Sequence, residues 1–142
     1  MPTYTLHTLA DTDTLVARLL KEHPTARIWF LEGTLGAGKT TLVQAFCRAL
    51  GVTETVQSPT YSLVHAYASP QGPVYHLDLY RLTGREEEAL DMGLDDYLNK
   101  SNTFCFVEWG SVVPTLWPDS YHLLTLAIEP DATRTVTLTT HP

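Results

Sequence analysis

Residues 33–40 read G-T-L-G-A-G-K-T and match the pattern G-x-x-x-x-G-K-[ST] at every fixed position. The glycines have no Cβ, so the backbone can turn through positive φ and bring its N–H groups close to phosphate oxygens. Lys39 supplies a compact positive charge for the β- and γ-phosphates, and the hydroxyl of Thr40 is a ligand for magnesium. The pattern predicts a binding site for a nucleoside triphosphate with Mg²⁺.

The sequence on both sides of this loop has the required context. Residues 27–32 are a short apolar run that predicts a strand leading directly into the loop. After the loop, apolar residues recur at helical spacing as far as Leu50, and Gly51 stands where a C-terminal cap is expected. A helix that begins at the loop adds the partial positive charge of its N-terminus to the phosphate site.

Two carboxylates lie within apolar runs that predict strands. Asp78 lies within the run 74–80, where its burial is costly unless a charge or hydrogen bonds compensate it. A magnesium ion would compensate it, which makes Asp78 the Walker B candidate; the alternative is a structural pair with Arg81. Glu108 lies near the end of the run 104–109, directly before Trp109. The carboxyl ends of parallel strands share one edge of a sheet, so Glu108 is expected to bind magnesium or position water, or else to form a strand-end salt bridge.

The segment after the first predicted helix contains a candidate switch residue. Residues 58–61 read S-P-T-Y and precede two predicted strands, 61–68 and 74–80, whose short connecting turn predicts an antiparallel pair. In outline this arrangement resembles small G proteins, in which Thr60 would sense the γ-phosphate and magnesium. The alternative for Thr60 is a turn residue beside a proline.

Further elements are predicted at the two ends of the chain and between the acids. Residues 4–9 form an edge strand, and Asp11 or Thr12 caps a helix that ends near residue 23 and either frames the base or only packs. Residues 83–86 form a capping box before a short acidic helix, followed by a further turn over 94–99. Residues 121–128 and 133–140 form a C-terminal hairpin, in which Arg134 either decorates the surface or reaches the nucleotide.

The remaining sequence favours ATP and slow hydrolysis. Residues 99–102 read N-K-S-N and lack the aspartate of the guanine-reading N-K-x-D. No arginine cluster predicts the lid of a small-molecule kinase, and hydrolysis needs only magnesium, the phosphate cradle and an oriented water molecule. We therefore expect slow intrinsic turnover, with partners that either complete the site or read the nucleotide state.

Composition narrows the class of protein. With 44% hydrophobic and 18% charged residues, the 142-residue chain is expected to form one folded domain over 1–142. The net charge of −7 argues against stable unaided binding to DNA or RNA, since that needs several cationic phosphate contacts. Two buried free thiols are expected at Cys47 and Cys105, and the scattered histidines predict no zinc site. No signal peptide or apolar run long enough for a membrane is present, so we expect a cytoplasmic protein.

Four motifs, taken together, resemble one family. They are G-T-L-G-A-G-K-T-T at 33–41, S-P-T-Y at 58–61, H-L-D-L-Y-R at 76–81 and V-E-W at 107–109. In order and spacing they are similar to the TsaE (YjeE) family, the ATPase component of the bacterial machinery that makes N6-threonylcarbamoyladenosine (t6A) in tRNA. The resemblance implies an α/β fold of the P-loop NTPase type, with a mixed β-sheet flanked by helices.

The resemblance also implies roles for particular residues. ATP and Mg²⁺ would be the cofactors, TsaD and TsaB the partners, and tRNA would be reached only through that complex. Asp78, Glu108, Lys39 and Thr60 would be catalytic, and Thr40, Glu108 and Asp78 would hold the metal. The residues implied in nucleotide binding are Asp11, Gly33, Gly36, Ala37, Gly38, Lys39, Thr40, Thr41, Trp109 and Arg134. The alternatives are a nucleotide-gated binding module with incidental hydrolysis and a small-molecule P-loop kinase.

Overall fold

A computed structural model of the chain describes residues 1–59 and 62–141. Within these residues seven strands form one mixed sheet in the order β1-β7-β6-β2-β5-β4-β3. The strands are β1 Thr3–Leu6, β2 Ile28–Glu32, β3 Val64–Tyr67, β4 Val74–Asp78, β5 Phe104–Glu108, β6 Tyr121–Ile128 and β7 Arg134–His141. The α-helices of the described part are α1 Leu9–Glu22, α2 Lys39–Leu50, α3 Glu86–Asp91 and α4 Leu94–Asn99. The predicted fold class, a mixed sheet flanked by helices, is confirmed.

The centre of the sheet is parallel. β2 pairs in parallel with β5 on one side and with β6 on the other, and β5 pairs in parallel with β4. β2 and β5 are buried along almost their whole length, as expected for apolar runs covered on both faces. Because these strands run the same way, the carboxyl ends of β2, β4 and β5 lie next to one another at one edge of the sheet.

The outer strands are antiparallel. β3 pairs with β4, and β6 pairs with β7, which confirms both predicted hairpins. β1 pairs with β7 and is the outermost strand on that side of the sheet, as predicted. The two hairpins therefore lie on either side of the sheet, with β2 and β5 between them.

Each face of the sheet has its own core. On one face Trp29, Leu31 and Phe106 pack with Phe46 of α2 and Leu19 of α1. On the other face Phe30, Cys105 and Val107 pack with residues of α3, α4 and the segment 113–116. Full burial of one such large side chain contributes roughly 1.5–3 kcal/mol. Successive side chains of β2 and β5 point to opposite faces of the sheet, so each strand contributes to both cores. Those on the first face pack against α2 and hold it on the central strands.

The start of α1 differs from the prediction. The N-cap is Thr8, so the predicted cap at Asp11 or Thr12 is wrong. Thr8 Oγ1 accepts from the backbone N–H of Asp11, and Asp11 Oδ2 accepts from the backbone N–H groups of His7 and Thr8. Asp11 is therefore the third helical residue of a capping box, and the reciprocal bonds move the helix start to Leu9.

The capping box predicted at residues 83–86 is also wrong. Arg85 precedes α3 without a side-chain cap, and the hydroxyl of Thr83 donates to the carbonyl oxygen of Tyr80. The carboxylate of Glu86 instead accepts from the backbone and hydroxyl of Thr115. Thr83 therefore bonds to the 3-10 turn at Tyr80–Leu82 and not to α3. Glu86 connects α3 to the segment after β5.

Two further predictions concern cysteines and membranes. Cys47 and Cys105 are buried free thiols, as predicted, and burial raises the pKa of each to about 12. Across the described ranges no helix has the length and apolar character needed to cross a membrane.

Candidate functional site

The glycine loop connects β2 to α2, and its glycines are needed for two different reasons. Gly36 and Gly38 have φ values of 81° and 105°, which L side chains rarely adopt. Gly33 is needed for space, because a Cβ there would lie 2.7 Å from the carbonyl oxygen of Leu126 on β6. The loop is thus pressed onto the sheet at one end and turned through left-handed backbone at the other, where α2 begins.

Lys39 lies across the mouth of this loop. Its Nζ donates to the carbonyl oxygens of Gly33 at 2.5 Å and Thr34 at 3.1 Å, and lies 4.3 Å from the centre of the Trp109 ring. Burial lowers the pKa of Lys39, and the nearby carboxylates, of which Glu108 acts most strongly, oppose that shift. The ammonium is therefore held ready beside the loop by neutral acceptors.

Glu108 and Thr40 meet at the same edge. The Thr40 hydroxyl donates to Glu108, with Oγ1 2.9 Å from Oε2 and 3.2 Å from Oε1. Glu108 ends β5 and is only 3% exposed, while Thr40 lies in the first turn of α2. The structure brings together a hydroxyl and a carboxylate, both oxygen ligands of the kind that magnesium prefers.

Asp78 is the neighbour of Glu108 in the sheet. The two residues pair directly in the register of β4 with β5, and Asp78 is 5% exposed. Asp78 Oδ1 accepts from the backbone N–H of Tyr80 at 3.1 Å, and Oδ2 accepts from the Ser58 hydroxyl at 3.4 Å. A cavity of about 270 Å³, which we call the carboxylate cleft, is lined among others by Lys39, Thr40, Thr41, Ser58, Asp78, Glu108 and Trp109.

A second cavity of about 320 Å³ lies against the same loop, with Gly36, Gly38 and Thr41 common to both. We call it the outer cavity. Its walls also include Ala37 of the loop, Leu6, His7, Thr8, Leu9 and Thr12 near the start of α1, Leu126 of β6 and Arg134 of β7.

Two residues predicted near the nucleotide have defined places at the outer cavity. Arg134 reaches the loop, since its Nη2 donates to the carbonyl oxygen of Gly36 at 3.3 Å. Asp11 lies behind the wall formed by His7 and Thr8 and holds their backbone N–H groups. These two hydrogen bonds lower the pKa of Asp11.

Trp109 and the segment after it close one side of the carboxylate cleft. Trp109 has a φ of 60°, uncommon for a bulky residue, and its ring lies 4.8 Å from the ring of Tyr80. Gly110 packs directly on Phe30, where a Cβ would lie 2.4 Å from Cδ1, and its carbonyl oxygen accepts from Trp117 Nε1 at 2.7 Å. The turn that places Trp109 over Lys39 is therefore held by packing beneath it.

Two polar residues at this edge were not predicted to belong to the site. His76 is fully buried, with Nε2 2.5 Å from Glu108 Oε2, so the partner of Glu108 at the end of the strand is a histidine in hydrogen-bond contact. Its signal in the sequence is its position two residues before Asp78, on the same face of β4. Glu32 ends β2, and its carboxylate accepts from the backbone N–H of Ser111 at 2.8 Å. Burial raises the pKa of Glu32. The predicted switch residue Thr60 lies outside the described residues.

Comparison with known proteins identifies the family and the fold of this chain. The family model for "Threonylcarbamoyl adenosine biosynthesis protein TsaE" matches residues 6–136. A crystal structure of Bacillus subtilis YdiB has the same fold, with a TM-score of 0.79 and 27% sequence identity over 99% of this chain and 86% of that one.

Curated relatives named tRNA threonylcarbamoyladenosine biosynthesis protein TsaE give the same result. The Bacillus subtilis protein is 38% identical over 77% of this chain and 66% of its own length. The Haemophilus influenzae protein is 39% identical over 80% of this chain and 72% of its own length. The Treponema pallidum protein is 33% identical over 88% of both chains. This chain belongs to the TsaE family of tRNA threonylcarbamoyladenosine biosynthesis proteins.

Proposed function

We propose that this chain binds ATP with Mg²⁺ and hydrolyses it slowly, in support of tRNA t6A modification by a complex of TsaB and TsaD. One observation carries the proposal. Lys39 and Thr40 of the glycine loop face the carboxylates Asp78 and Glu108 across the carboxylate cleft. A positive cradle opposite two acids is suited to a triphosphate with a metal ion between them.

The loop supports the phosphate part of the proposal. Backbone N–H groups at the N-terminus of α2 point toward the loop, where the helix dipole favours negative charge. The ammonium of Lys39 now rests on the carbonyl oxygens of Gly33 and Thr34. Phosphate oxygens carry the charge opposite to that of the ammonium, whereas the carbonyl groups are neutral, so a triphosphate would displace these carbonyl groups.

The donor set fits magnesium. Thr40, Asp78 and Glu108 offer only oxygen atoms, which suit Mg²⁺, whereas zinc prefers sulfur and imidazole ligands. Asp78 and Glu108 are buried neighbours on adjacent strands, and like charges held close in a buried site favour a bound cation. When bound, the metal would neutralise charge on the phosphates. The chain's own part is to hold the three oxygen donors and exclude water with Trp109.

The outer cavity suits the nucleoside. Leu6, Leu9 and Leu126 give it apolar walls, and Thr8, Thr12 and Arg134 add polar groups, as is usual for small-molecule sites. The segment 99–102, which partly resembles the guanine-reading motif, precedes β5 at the sheet edge opposite the loop. That location supports ATP over GTP.

The cations of the described part support slow turnover. Lys39 is the only cation among the described residues that line the carboxylate cleft, whereas Arg134 is bonded to the loop on the side of the outer cavity. In P-loop GTPases an arginine that stabilises the charge of the transition state raises turnover by about 10³–10⁵-fold. We therefore propose that TsaB and TsaD complete or gate the site, and that the acidic chain, with a net charge of −7, reaches tRNA only through them.

The test combines binding, hydrolysis and modification. ATP affinity is measured by calorimetry with and without Mg²⁺, and phosphate release is followed with and without TsaB, TsaD and tRNA. We expect magnesium-dependent binding and release that increases with partners. No binding of ATP would contradict the proposal.

The variants Asp78→Asn and Glu108→Gln separate two functions. If they bind ATP and partners but t6A formation stops, hydrolysis is required. If modification continues, the chain acts as a nucleotide-gated binding module. A phosphorylated metabolite formed from ATP would instead indicate a kinase.

A further inference from the structure

His76 lies against Glu108, although no step of the proposed function uses it. Its side chain is fully buried on β4, with Nε2 2.5 Å from Oε2 of Glu108. In the register of β4 with β5, His76 pairs with Phe106 and Asp78 pairs with Glu108. Side chains two residues apart on a strand share a face, so His76, Asp78 and Glu108 lie on the same face of the sheet.

The second ring nitrogen indicates which way the hydrogen bond runs. Nδ1 of His76 is buried and has no hydrogen-bond partner among the residues that the structure describes. An ionised carboxylate only accepts hydrogen bonds, so Nε2 carries the proton in its 2.5 Å contact with Glu108, and a second proton on Nδ1 would leave a buried donor unsatisfied. The arrangement therefore favours the tautomer with its proton on Nε2, so that His76 donates to the carboxylate of Glu108.

Glu108 is thereby held by two donors with unequal effects on its oxygens. Oε2 accepts from His76 at 2.5 Å and from Thr40 at 2.9 Å, whereas Oε1 has, among the described residues, only the longer contact to Thr40 at 3.2 Å. Two donors on one oxygen fix the plane of the carboxylate and hence the direction of Oε1.

We propose that His76 is a positioning residue that orients Glu108 for the magnesium ion of the bound nucleotide. The inference rests on the proposed function. A lysine or arginine in place of His76 would neutralise Glu108 and weaken its attraction for a cation, whereas a neutral imidazole leaves the charge of the carboxylate in place. Groups that orient metal ligands in this way change metal affinity by about 10–100-fold when they are removed.

The test compares three variants with the wild type. His76→Leu removes the donor and keeps an apolar side chain of useful size, while His76→Gln places an amide N–H near the position of Nε2. Val74→Ala is the matched control, because Val74 is buried on β4 two residues earlier, on the same face. Calorimetry gives the dissociation constant of a non-hydrolysable ATP analogue with Mg²⁺ and with EDTA, and paramagnetic resonance of Mn²⁺ gives metal affinity directly.

We expect magnesium to increase analogue affinity in the wild type and in Val74→Ala. His76→Leu should lose about tenfold or more of that increase and of the Mn²⁺ affinity, with binding in EDTA unchanged, and His76→Gln should retain most of both. Full magnesium enhancement in His76→Leu would overturn the inference, as would a glutamine variant as weak as the leucine variant.

If His76→Leu does not fold, His76→Gln and His76→Asn decide the question. Glutamine carries its amide near the position of Nε2, whereas asparagine carries it near Nδ1. Equal metal affinity of these two variants would overturn the inference. A wild type that binds the analogue without any effect of Mg²⁺ would overturn the proposed metal site, and this inference with it, whereas a failure confined to His76 variants leaves the proposed function intact.

Discussion

The two cavities beside the glycine loop are built from different parts of the sheet. The carboxylate cleft lies at the ends of the central parallel strands, where Asp78 and Glu108 are 5% and 3% exposed. The outer cavity lies between β6, β7 and the start of α1, where Leu9 is 74% exposed. One region concentrates charge inside the protein, and the other distributes weak contacts near its surface.

The two cavities should contribute to binding in different ways. Charges interact more strongly in a buried site than near water, so each charged group of the carboxylate cleft should matter individually. Contacts at the outer cavity are partly solvated and should each contribute little. We therefore expect single substitutions to abolish the function of the cleft and only to weaken that of the outer cavity.

The largest effect is expected for Lys39→Ala. Hydrogen bonds to charged groups contribute roughly 1.5–3 kcal/mol each, so losing the ammonium should reduce affinity for ATP by about 100-fold. Affinity for inorganic tripolyphosphate should fall by a similar factor, because Lys39 contacts phosphate in either ligand. Calorimetry with both ligands measures this. Lys100→Ala, which removes a cation beside Tyr75 at the far end of β4, is the control. Unchanged affinity in Lys39→Ala would mean that the phosphates bind elsewhere.

A smaller effect is expected for Gly33→Ala, which tests the connection between the two regions. The new Cβ would lie 2.7 Å from the carbonyl oxygen of Leu126, and overpacking of this kind costs about 1–3 kcal/mol. Chemical denaturation measures the stability, and ATP affinity should fall because the loop must move. Gly84→Ala is the control: its φ of 77° is strained in alanine, but no atom lies within 4 Å, so only stability should fall. Equal ATP affinity in the two variants would contradict this account of the loop.

Much of the fold could be predicted because its signals are local. The apolar runs of β2 and β5, the glycine loop and Gly51 at the end of α2 each specify their own structure within a few residues. The meeting of Lys39, Thr40, Asp78 and Glu108 also followed from one general property, that parallel strands end at a shared edge.

The remainder depends on contacts between distant parts of the chain. The contact of His76 with Glu108 requires the register of β4 against β5, and that of Arg134 with Gly36 joins residues 98 positions apart. The pairing register of two strands, and contacts between residues far apart in the chain, cannot be read from local sequence patterns. The start of α1 is ambiguous for a different reason, since Thr8 and Asp11 have the spacing of a capping box but an aspartate is also a favourable N-cap residue in its own right.

Arg134→Ala should have a modest effect that separates the two regions. The guanidinium lines the outer cavity, where a partly exposed hydrogen bond to the nucleoside would contribute roughly 0.5–1.5 kcal/mol to binding. ATP affinity should therefore fall by about three- to tenfold, while tripolyphosphate affinity should be unchanged. Arg48→Ala, which removes an exposed cation paired with Asp13, is the control. An equal loss for both ligands would place Arg134 with the phosphates instead.

The smallest effects are expected from one carboxylate in each region, with opposite signs. Burial raises the pKa of Glu32, beside the carboxylate cleft, above its usual value of 4.5, while two backbone hydrogen bonds lower that of Asp11, behind the outer cavity, below 3.8. A raised pKa means that the folded state binds more protons than the unfolded state between the two pKa values, so Glu32 makes stability fall as pH rises through that interval. Asp11 adds stability above pH 3.8 that is lost as pH falls through its lowered pKa.

Urea unfolding of Glu32→Gln and Asp11→Asn between pH 3 and 8 distinguishes these signs. Relative to wild type, Glu32→Gln should gain stability on going from pH 4 to pH 8, because glutamine has no charge to desolvate and can still accept from Ser111. Asp11→Asn should be less stable than wild type at neutral pH and should approach it in acid, where the aspartate is protonated as well. The result to exclude is a change of stability with pH, relative to wild type, that has the same sign in both variants. That result would mean that a carboxylate beside the carboxylate cleft and one behind the outer cavity have similar electrostatic environments. The contrast between a buried cleft and a solvated outer wall would then be wrong.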